Sequence, residues 1–108
     1  MTVQQIIEKF NFSPLSVPCP EREVAGGYVG DLLSWVMGRA SQDNVWITIM
    51  SNVNIVAVAS LADVSMIILA EGVQADNGVL ETAEQKGVNI VSSELSAFEL
   101  VARLTDSV

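Results

Sequence analysis

The stretch from Val45 to Gly72 constrains the fold more than any other part of this sequence. It holds two short apolar runs, Val45–Met50 and Ser65–Ala70, whose β-branched residues are typical of buried strands. Between the runs, residues 54–63 are suited to a short helix. A strand, a crossover helix and a parallel strand form a βαβ unit, and ligands bind such units just beyond the strand ends. The stretch therefore predicts a fold without naming a reaction.

The flanking segments extend this unit on both sides. Thr2 is placed to cap a first helix that ends near Phe10. Asp31 is placed to cap the second helix and Asp76 to cap the fourth, which is expected to end at Gly87. The remaining predicted elements are strands over 15–17, 21–25 and 88–91, helices over 32–40 and 77–86, and a last helix over 95–104. The order α-β-β-α-β-α-β-α-β-α predicts one α/β domain over residues 1–108, with three α/β/α layers and a mostly parallel sheet of about five strands.

Composition and charge limit the partners that such a domain can have. Half of the 108 residues are hydrophobic and 17% are charged, so apolar surface is expected to remain for a homodimer or a protein partner. The net charge is −8, and the five cations are scattered along the chain. A nucleic acid or an anionic membrane surface needs a basic patch, so both are excluded as main partners.

The cysteine and histidine counts point to the cytoplasm and away from metal chemistry. Cys19 is the single cysteine and the chain has no histidine, so neither an intrachain disulfide nor a Cys/His metal cluster is possible. A lone cysteine fits a reducing compartment. The sequence shows no signal-peptide pattern and no apolar run long enough to span a membrane.

Small polar residues follow each of the three parallel strands predicted in the second half of the chain. Such side chains and helix-start amides suit a phosphate, a ribose or a carboxylate, and the strand ends should share one crevice. Turn and helix-cap chemistry favours the same residue types, so a purely structural role stays open. The candidate ligand-binding residues are Thr48, Ser51, Asn52, Asn54, Glu71, Gly72, Ser92 and Ser93.

A glycine segment is the second candidate for binding. Gly26, Gly27 and Gly30 precede a predicted helix, where an anion could bind. Their spacing matches no known phosphate loop, no lysine follows, and Asp31 would repel a phosphate. We therefore interpret the segment as a glycine turn between a strand and a helix.

The residues for catalysis are sparse. Without histidine, acid–base chemistry needs carboxylates or lysine, and no carboxylates are evidently paired. The serines have no recognisable base, and Trp35 and Trp46 are interpreted as core or interface aromatics. The sequence predicts no catalytic residue, no cofactor and no metal.

Several motifs in order resemble the small stand-alone DRTGG-domain proteins. They are Tyr28–Met37, Trp46–Ile49, Asn54–Ala59 and Ile90–Glu99, and the similarity runs from about Val3 to Leu104. Where the name-giving Asp-Arg-Thr stretch would follow the strand, this chain has Ser51-Asn52-Val53-Asn54. The same domain occurs in CBS-regulated pyrophosphatases and in longer phosphotransacetylases, and its fold is related to the N-terminal domain of HPr kinase/phosphorylase. The resemblance implies an α/β/α regulatory or assembly module without catalytic residues of its own.

Three functional hypotheses follow. The first is a non-catalytic regulatory or assembly module, homodimeric, that binds a larger enzyme or regulatory protein. The alternative is a sensor of a small ligand, such as a nucleotide or another metabolite, at the strand-end crevice. An enzyme with an unrecognised site is the least supported of the three.

Overall fold

The computed structural model describes all 108 residues, and its elements follow the predicted order. Helices and strands are short, and the two central strands end earlier than the apolar runs that predicted them. The elements are α1 (Val3–Phe10), β1 (Ser13–Ser16), β2 (Gly27–Val29), α2 (Leu33–Arg39), β3 (Val45–Thr48), α3 (Asn54–Ala62), β4 (Met66–Leu69), α4 (Val79–Lys86), β5 (Ile90–Ser92) and α5 (Ala97–Leu104).

The five strands form one sheet in the order β1-β5-β4-β3-β2. Strands β2 to β5 are parallel, and β1 pairs with β5 in the antiparallel direction. The predicted class, α/β with a mostly parallel five-stranded sheet, is confirmed. None of the five helices has the length and apolar character needed to cross a membrane.

Side chains of the central strands alternate between two apolar layers. Ile47 and Ile68 face α1 and α5, whereas Trp46 and Ile67 face α2, α3 and α4. All residues of β3 and β4 are buried, which explains why these strands appear in the sequence as continuous apolar runs.

Two local predictions about helix ends are confirmed. Thr2 caps α1 in a capping box, in which its hydroxyl accepts the Gln5 amide N–H at 3.1 Å and the Gln5 side chain accepts the Thr2 amide N–H at 2.8 Å. Gly87 ends α4 in the left-handed conformation, with φ of 71°.

The second strand is displaced from its predicted position. The prediction over residues 21–25 is wrong, because β2 consists of Gly27–Val29. The earlier segment is held to its neighbours without joining the sheet: Glu23 forms an isolated bridge with Thr2, and Val24 is buried in the core.

Three predicted helix starts are also corrected. Asp31 does not cap α2, which begins after Leu32 without a side-chain cap. Asp76 does not cap α4, whose N-cap is Gly78. The last helix begins later than predicted, after a capping box formed by Ser96 and Glu99.

Arg22 holds the connection between β1 and β2 to the rest of the fold. Its guanidinium donates to the carboxylates of Asp43 at 3.1 Å and Asp63 at 2.8 Å. Partial burial lowers the pKa of Arg22, but the hydrogen bonds and charges of the two aspartates outweigh this effect and raise it above its ordinary value. The arginine therefore stays charged.

Candidate functional site at the carboxyl ends of the strands

The eight candidate residues lie at the carboxyl-end edge of the sheet or in the loops that leave it. The loops after β4 and β5 contact each other directly, since the Gly72 amide donates to the Ser93 carbonyl at 2.9 Å. The end of β3 is joined to the loop after β4 by a hydrogen bond of 3.0 Å from the Ala70 amide to the Thr48 carbonyl. Whether these residues bind a ligand stays a prediction, and their own hydrogen bonds show what each is free to do.

Thr48 is buried and its hydroxyl is fully engaged. It donates to Asp31 Oδ1 at 2.7 Å and accepts the Met50 amide N–H at 3.1 Å. The same Asp31 oxygen accepts the Ile49 amide N–H at 2.9 Å. Asp31, predicted from its position to be a helix cap, instead ties the loop after β2 to the end of β3.

The loop after β3 also uses its polar side chains internally. Ser51 donates through its hydroxyl to Asp76 Oδ1 at 3.0 Å, and its carbonyl accepts the Asp76 amide N–H at 2.9 Å. Asn52 Oδ1 accepts the Asn54 amide N–H at 2.9 Å, which is an Asx turn at the start of α3. These bonds are the turn chemistry that the sequence left open as the alternative to a ligand.

The turn after β4 depends on a residue without a side chain. Glu71 and Gly72 both adopt the left-handed conformation, with φ of 59° and 71°. A Cβ atom on Gly72 would lie 2.5 Å from Glu94 Oε2 and would displace that flexible side chain, while the positive φ itself favours glycine there. The Glu71 amide donates to the Leu95 carbonyl at 2.9 Å, and the Ser93 hydroxyl accepts the Leu95 amide at 3.1 Å.

One concavity at this edge includes two of the candidate residues. Gly72 and Ser92 line an open cavity of about 370 Å³. The other lining residues are Leu15, Val73, Gln74, Ala75, Leu80 and Glu94. Asn54 lines a different cavity of about 340 Å³ between α3 and α4, so the eight residues do not converge on one crevice.

The structure corrects the interpretation of the glycine segment as a turn. Gly27 belongs to β2, where a Cβ atom would lie 3.0 Å from Val45 Cγ1. Gly26, with φ of 70°, leads into the strand. Gly30 ends it, since its amide donates to the Ile47 carbonyl and its carbonyl accepts the Trp46 indole N–H at 2.9 Å.

A third concavity lies between α5 and the β2 edge of the sheet, and it was not predicted from the sequence. This apolar cavity, of about 210 Å³, is lined by Gly27, Tyr28, Val29, Val45, Ile47, Val101, Leu104, Thr105 and Val108. Phe98 lies beside it on α5 and is 85% exposed. The signal was present in the sequence, because the apolar residues of α5 are too many for one helical face: Leu100 and Leu104 are buried, while Phe98 and Val101 are exposed.

The two tryptophans have different environments. Trp46 is fully buried on β3, as expected for a core aromatic. Trp35 is about half exposed on α2, and the Arg39 guanidinium stacks 3.7 Å above its ring. No group of three or more His, Cys, Asp or Glu side chains is placed to hold a metal ion.

The fold and this edge define a small three-layer α/β domain whose strand-end polar groups mainly bond to one another. The family model of the DRTGG domain matches residues 29–107. The chain belongs to the DRTGG domain family, which confirms the resemblance in its motifs.

A solved structure has the same fold. It is the regulatory region of a Clostridium perfringens pyrophosphatase, containing CBS and DRTGG domains in complex with the activator diadenosine tetraphosphate. The two chains superpose with a TM-score of 0.69 at 16% identity, over 95% of this chain and 45% of that one. This chain thus spans less than half of its structural neighbour. DRTGG domains are regulatory domains, and no protein of curated function matches the sequence.

Proposed function

We propose that this chain is a non-catalytic, cytoplasmic regulatory module that works by association, first with a second copy of itself and then with a larger enzyme or regulatory protein. The observation that carries the proposal is an uncharged apolar surface at the β2 edge of the sheet. We call it the α5–β2 surface and define it by Val29, Ala97, Phe98, Val101 and Ala102 together with the adjacent cavity.

Exposed apolar side chains on this surface favour association. Phe98 is 85% exposed, and Val29 and Val101 are each nearly half exposed. Single exposed apolar residues are normal, but a cluster of them marks a contact surface. β2 is also an edge strand of three residues, so this side of the sheet is not covered by another strand.

The charge distribution supports a second copy as the partner. A chain of net charge −8 repels its own copies, so self-association requires a surface free of carboxylates. The residues that line the α5–β2 surface include no Asp, Glu, Lys or Arg.

We expect the purified chain to be a dimer at micromolar concentration, with a mass twice the 11.6 kDa of the single chain. The apolar surface supplies the attraction, and added salt should strengthen the dimer because it screens the repulsion between acidic copies. Light scattering from 1 to 100 µM, at low and moderate salt, measures both effects. A monomer mass throughout this range would contradict the proposal.

The second candidate is a sensor of a nucleotide or another small metabolite. The observation that favours it is the cavity beside Gly72 and Ser92, which lies at the strand-end edge where α/β folds bind ligands. The Ser92 hydroxyl and the Gln74 side-chain amide are the neutral polar side-chain groups among its lining residues, while Glu94 would oppose a phosphate. The activator in the pyrophosphatase neighbour makes adenine nucleotides the first compounds to examine.

A ligand of this cavity should raise the melting temperature of the protein. At a hundred times its dissociation constant a ligand adds about 2.7 kcal/mol of stability, which corresponds to a shift of roughly 10 °C or more in a domain of this size. Thermal melts with adenosine mono-, di- and triphosphate and diadenosine tetraphosphate measure it. Ser92→Ala should reduce the shift and Asn54→Ala, in the other cavity, should not; equal shifts in both variants would contradict this site.

A further inference from the structure

We infer that the protein forms a two-fold symmetric dimer in which Phe98 of each copy inserts into the apolar cavity between α5 and β2 of the other. The inference rests on the proposed function, since it assumes self-association. It adds the contact by which self-association occurs.

Helix α5 has two apolar faces, and only one of them is buried within the chain. Leu100 and Leu104 pack in the core against the sheet. Phe98, Val101 and Ala102 are exposed and lie at the spacing of one helical face. The side chain of Phe98 is 85% exposed, so its own chain does not cover the ring, which projects from the surface.

The cavity next to this projection has the size and chemistry to accept an aromatic ring. Cavities of about 150 Å³ lined by apolar side chains accept benzene, and this one measures about 210 Å³. Its lining is mostly hydrophobic and includes Val29, Ile47 and Leu104. A ring bound in this cavity would displace water from the apolar surfaces of both partners.

The projection and the cavity are adjacent, which is what a two-fold axis requires. Val29 and Val101 line both the cavity and the shallow apolar hollow around Phe98. Phe98 is too exposed to fill its own cavity. In an isologous dimer the same patch meets itself, so each ring can occupy the partner's cavity and both contacts form at once.

A stable dimer needs more buried area than Phe98 alone supplies. An aromatic side chain buries roughly 150 Å² or more, and a standard interface needs about 800 Å² from each partner. Phe98 alone would contribute about a fifth of that area. The outer face of α5, the exposed edge of β2 and the chain after α5, which includes Asp106, lie around it and would have to supply the rest.

The first test compares two variants that each lose one highly exposed apolar side chain. Phe98→Ala should raise the dimer dissociation constant about a hundredfold, tenfold for each of the two symmetric contacts. Leu61→Ala is the matched control, because Leu61 is 72% exposed on α3, on the opposite face of the sheet, and its loss should leave the constant unchanged. Sedimentation equilibrium measures both constants, and circular dichroism checks that both variants fold.

The second test locates the ring directly. In the double variant Trp35→Phe, Phe98→Trp, the indole introduced on α5 should be exposed in the monomer and buried in the dimer. Its emission should therefore shift to shorter wavelength as the protein concentration passes through the dissociation constant, while the contribution of buried Trp46 stays constant.

The outcomes separate this inference from the proposed function. A dimer that forms equally well in Phe98→Ala, or an emission that does not move as the dimer forms, would overturn the Phe98 contact and leave self-association standing. A wild-type chain that stays monomeric would overturn both. A selective loss in Phe98→Ala together with the emission shift would establish the contact.

Discussion

Replacing Asn89 by leucine should lower the free energy of unfolding by about 3 kcal/mol or more. Asn89 is 1% exposed, and its side chain makes three hydrogen bonds to the backbone. Oδ1 accepts the Cys19 amide N–H at 2.9 Å, while Nδ2 donates to the carbonyls of Cys19 at 2.8 Å and Ser65 at 2.9 Å. Leucine has a similar size but would leave these groups unpaired in a dry environment, at about 1–3 kcal/mol for each group that finds no water. Urea unfolding followed by circular dichroism measures the loss.

A second asparagine provides the control for this prediction. The side chain of Asn52 makes one hydrogen bond, within its own turn, and is partly exposed. Asn52→Ala should therefore cost about 1 kcal/mol or less, as for other helix-start residues. Equal losses in the two variants would show that the Cys19–Asn89–Ser65 network does not hold the fold together. The comparison also establishes whether Asn52 can be altered without unfolding the chain, as any test of ligand binding at that residue requires.

The order of the elements could be predicted from the sequence because the central strands are buried on both sides. A strand such as Val45–Thr48 is a continuous apolar run, because both of its faces are buried. Such a short run is easily distinguished from the longer amphipathic helices. Thr2 and Gly87 were also predictable, because a capping hydroxyl and a left-handed glycine act within one turn of chain. Local rules therefore succeed where the interaction is local.

The failed predictions involve side chains with distant partners. Asp31 and Asp76 both precede helices, and the capping rule applies to each by position. In the structure each carboxylate instead accepts a hydrogen bond from a distant hydroxyl group. Asp31 accepts from Thr48, 17 residues later in the chain, and Asp76 accepts from Ser51, 25 residues earlier. Propensity cannot anticipate such a choice, since the competing partner is brought near only by the assembled sheet.

The shared edge of the strand ends could be predicted from the sequence, but the roles of the polar residues along it could not. The strand ends do share one edge, but residue types that suit a ligand also suit turns, and Ser51 and Asn52 are bonded within the fold. The sequence analysis did not predict the α5–β2 surface, because it did not divide the apolar positions of α5 between a buried and an exposed face. The number of apolar residues exceeded what one face of an eight-residue helix can bury, and that excess is the signal to look for in a sequence of this kind.

Replacing Trp46 by alanine should lower the free energy of unfolding by about 4 kcal/mol, within the range measured for large-to-small changes in protein cores. Trp46, on β3, is fully buried in the core between the sheet and helices α2, α3 and α4. Because domains of this size are stable by only about 5–15 kcal/mol, the loss should lower the melting temperature by roughly 15 °C or more. Calorimetry or a thermal melt measures it, and Trp35→Ala, which removes a half-exposed indole, should cost about 1 kcal/mol or less.

The indole of Trp46 also links the core to the edge of the sheet. Its N–H donates to the Gly30 carbonyl at 2.9 Å, directly after β2, so the ring fixes the end of the strand that carries Val29. Trp46→Phe keeps an aromatic ring but lacks the donor, and it should cost less than alanine while loosening that strand end. Hydrogen exchange at the Gly30 amide, which donates to the Ile47 carbonyl at 3.2 Å, should then become faster. Unchanged exchange at Gly30 in a destabilised Trp46→Phe variant would mean that the indole contributes through packing alone, and that the α5–β2 surface is positioned without it.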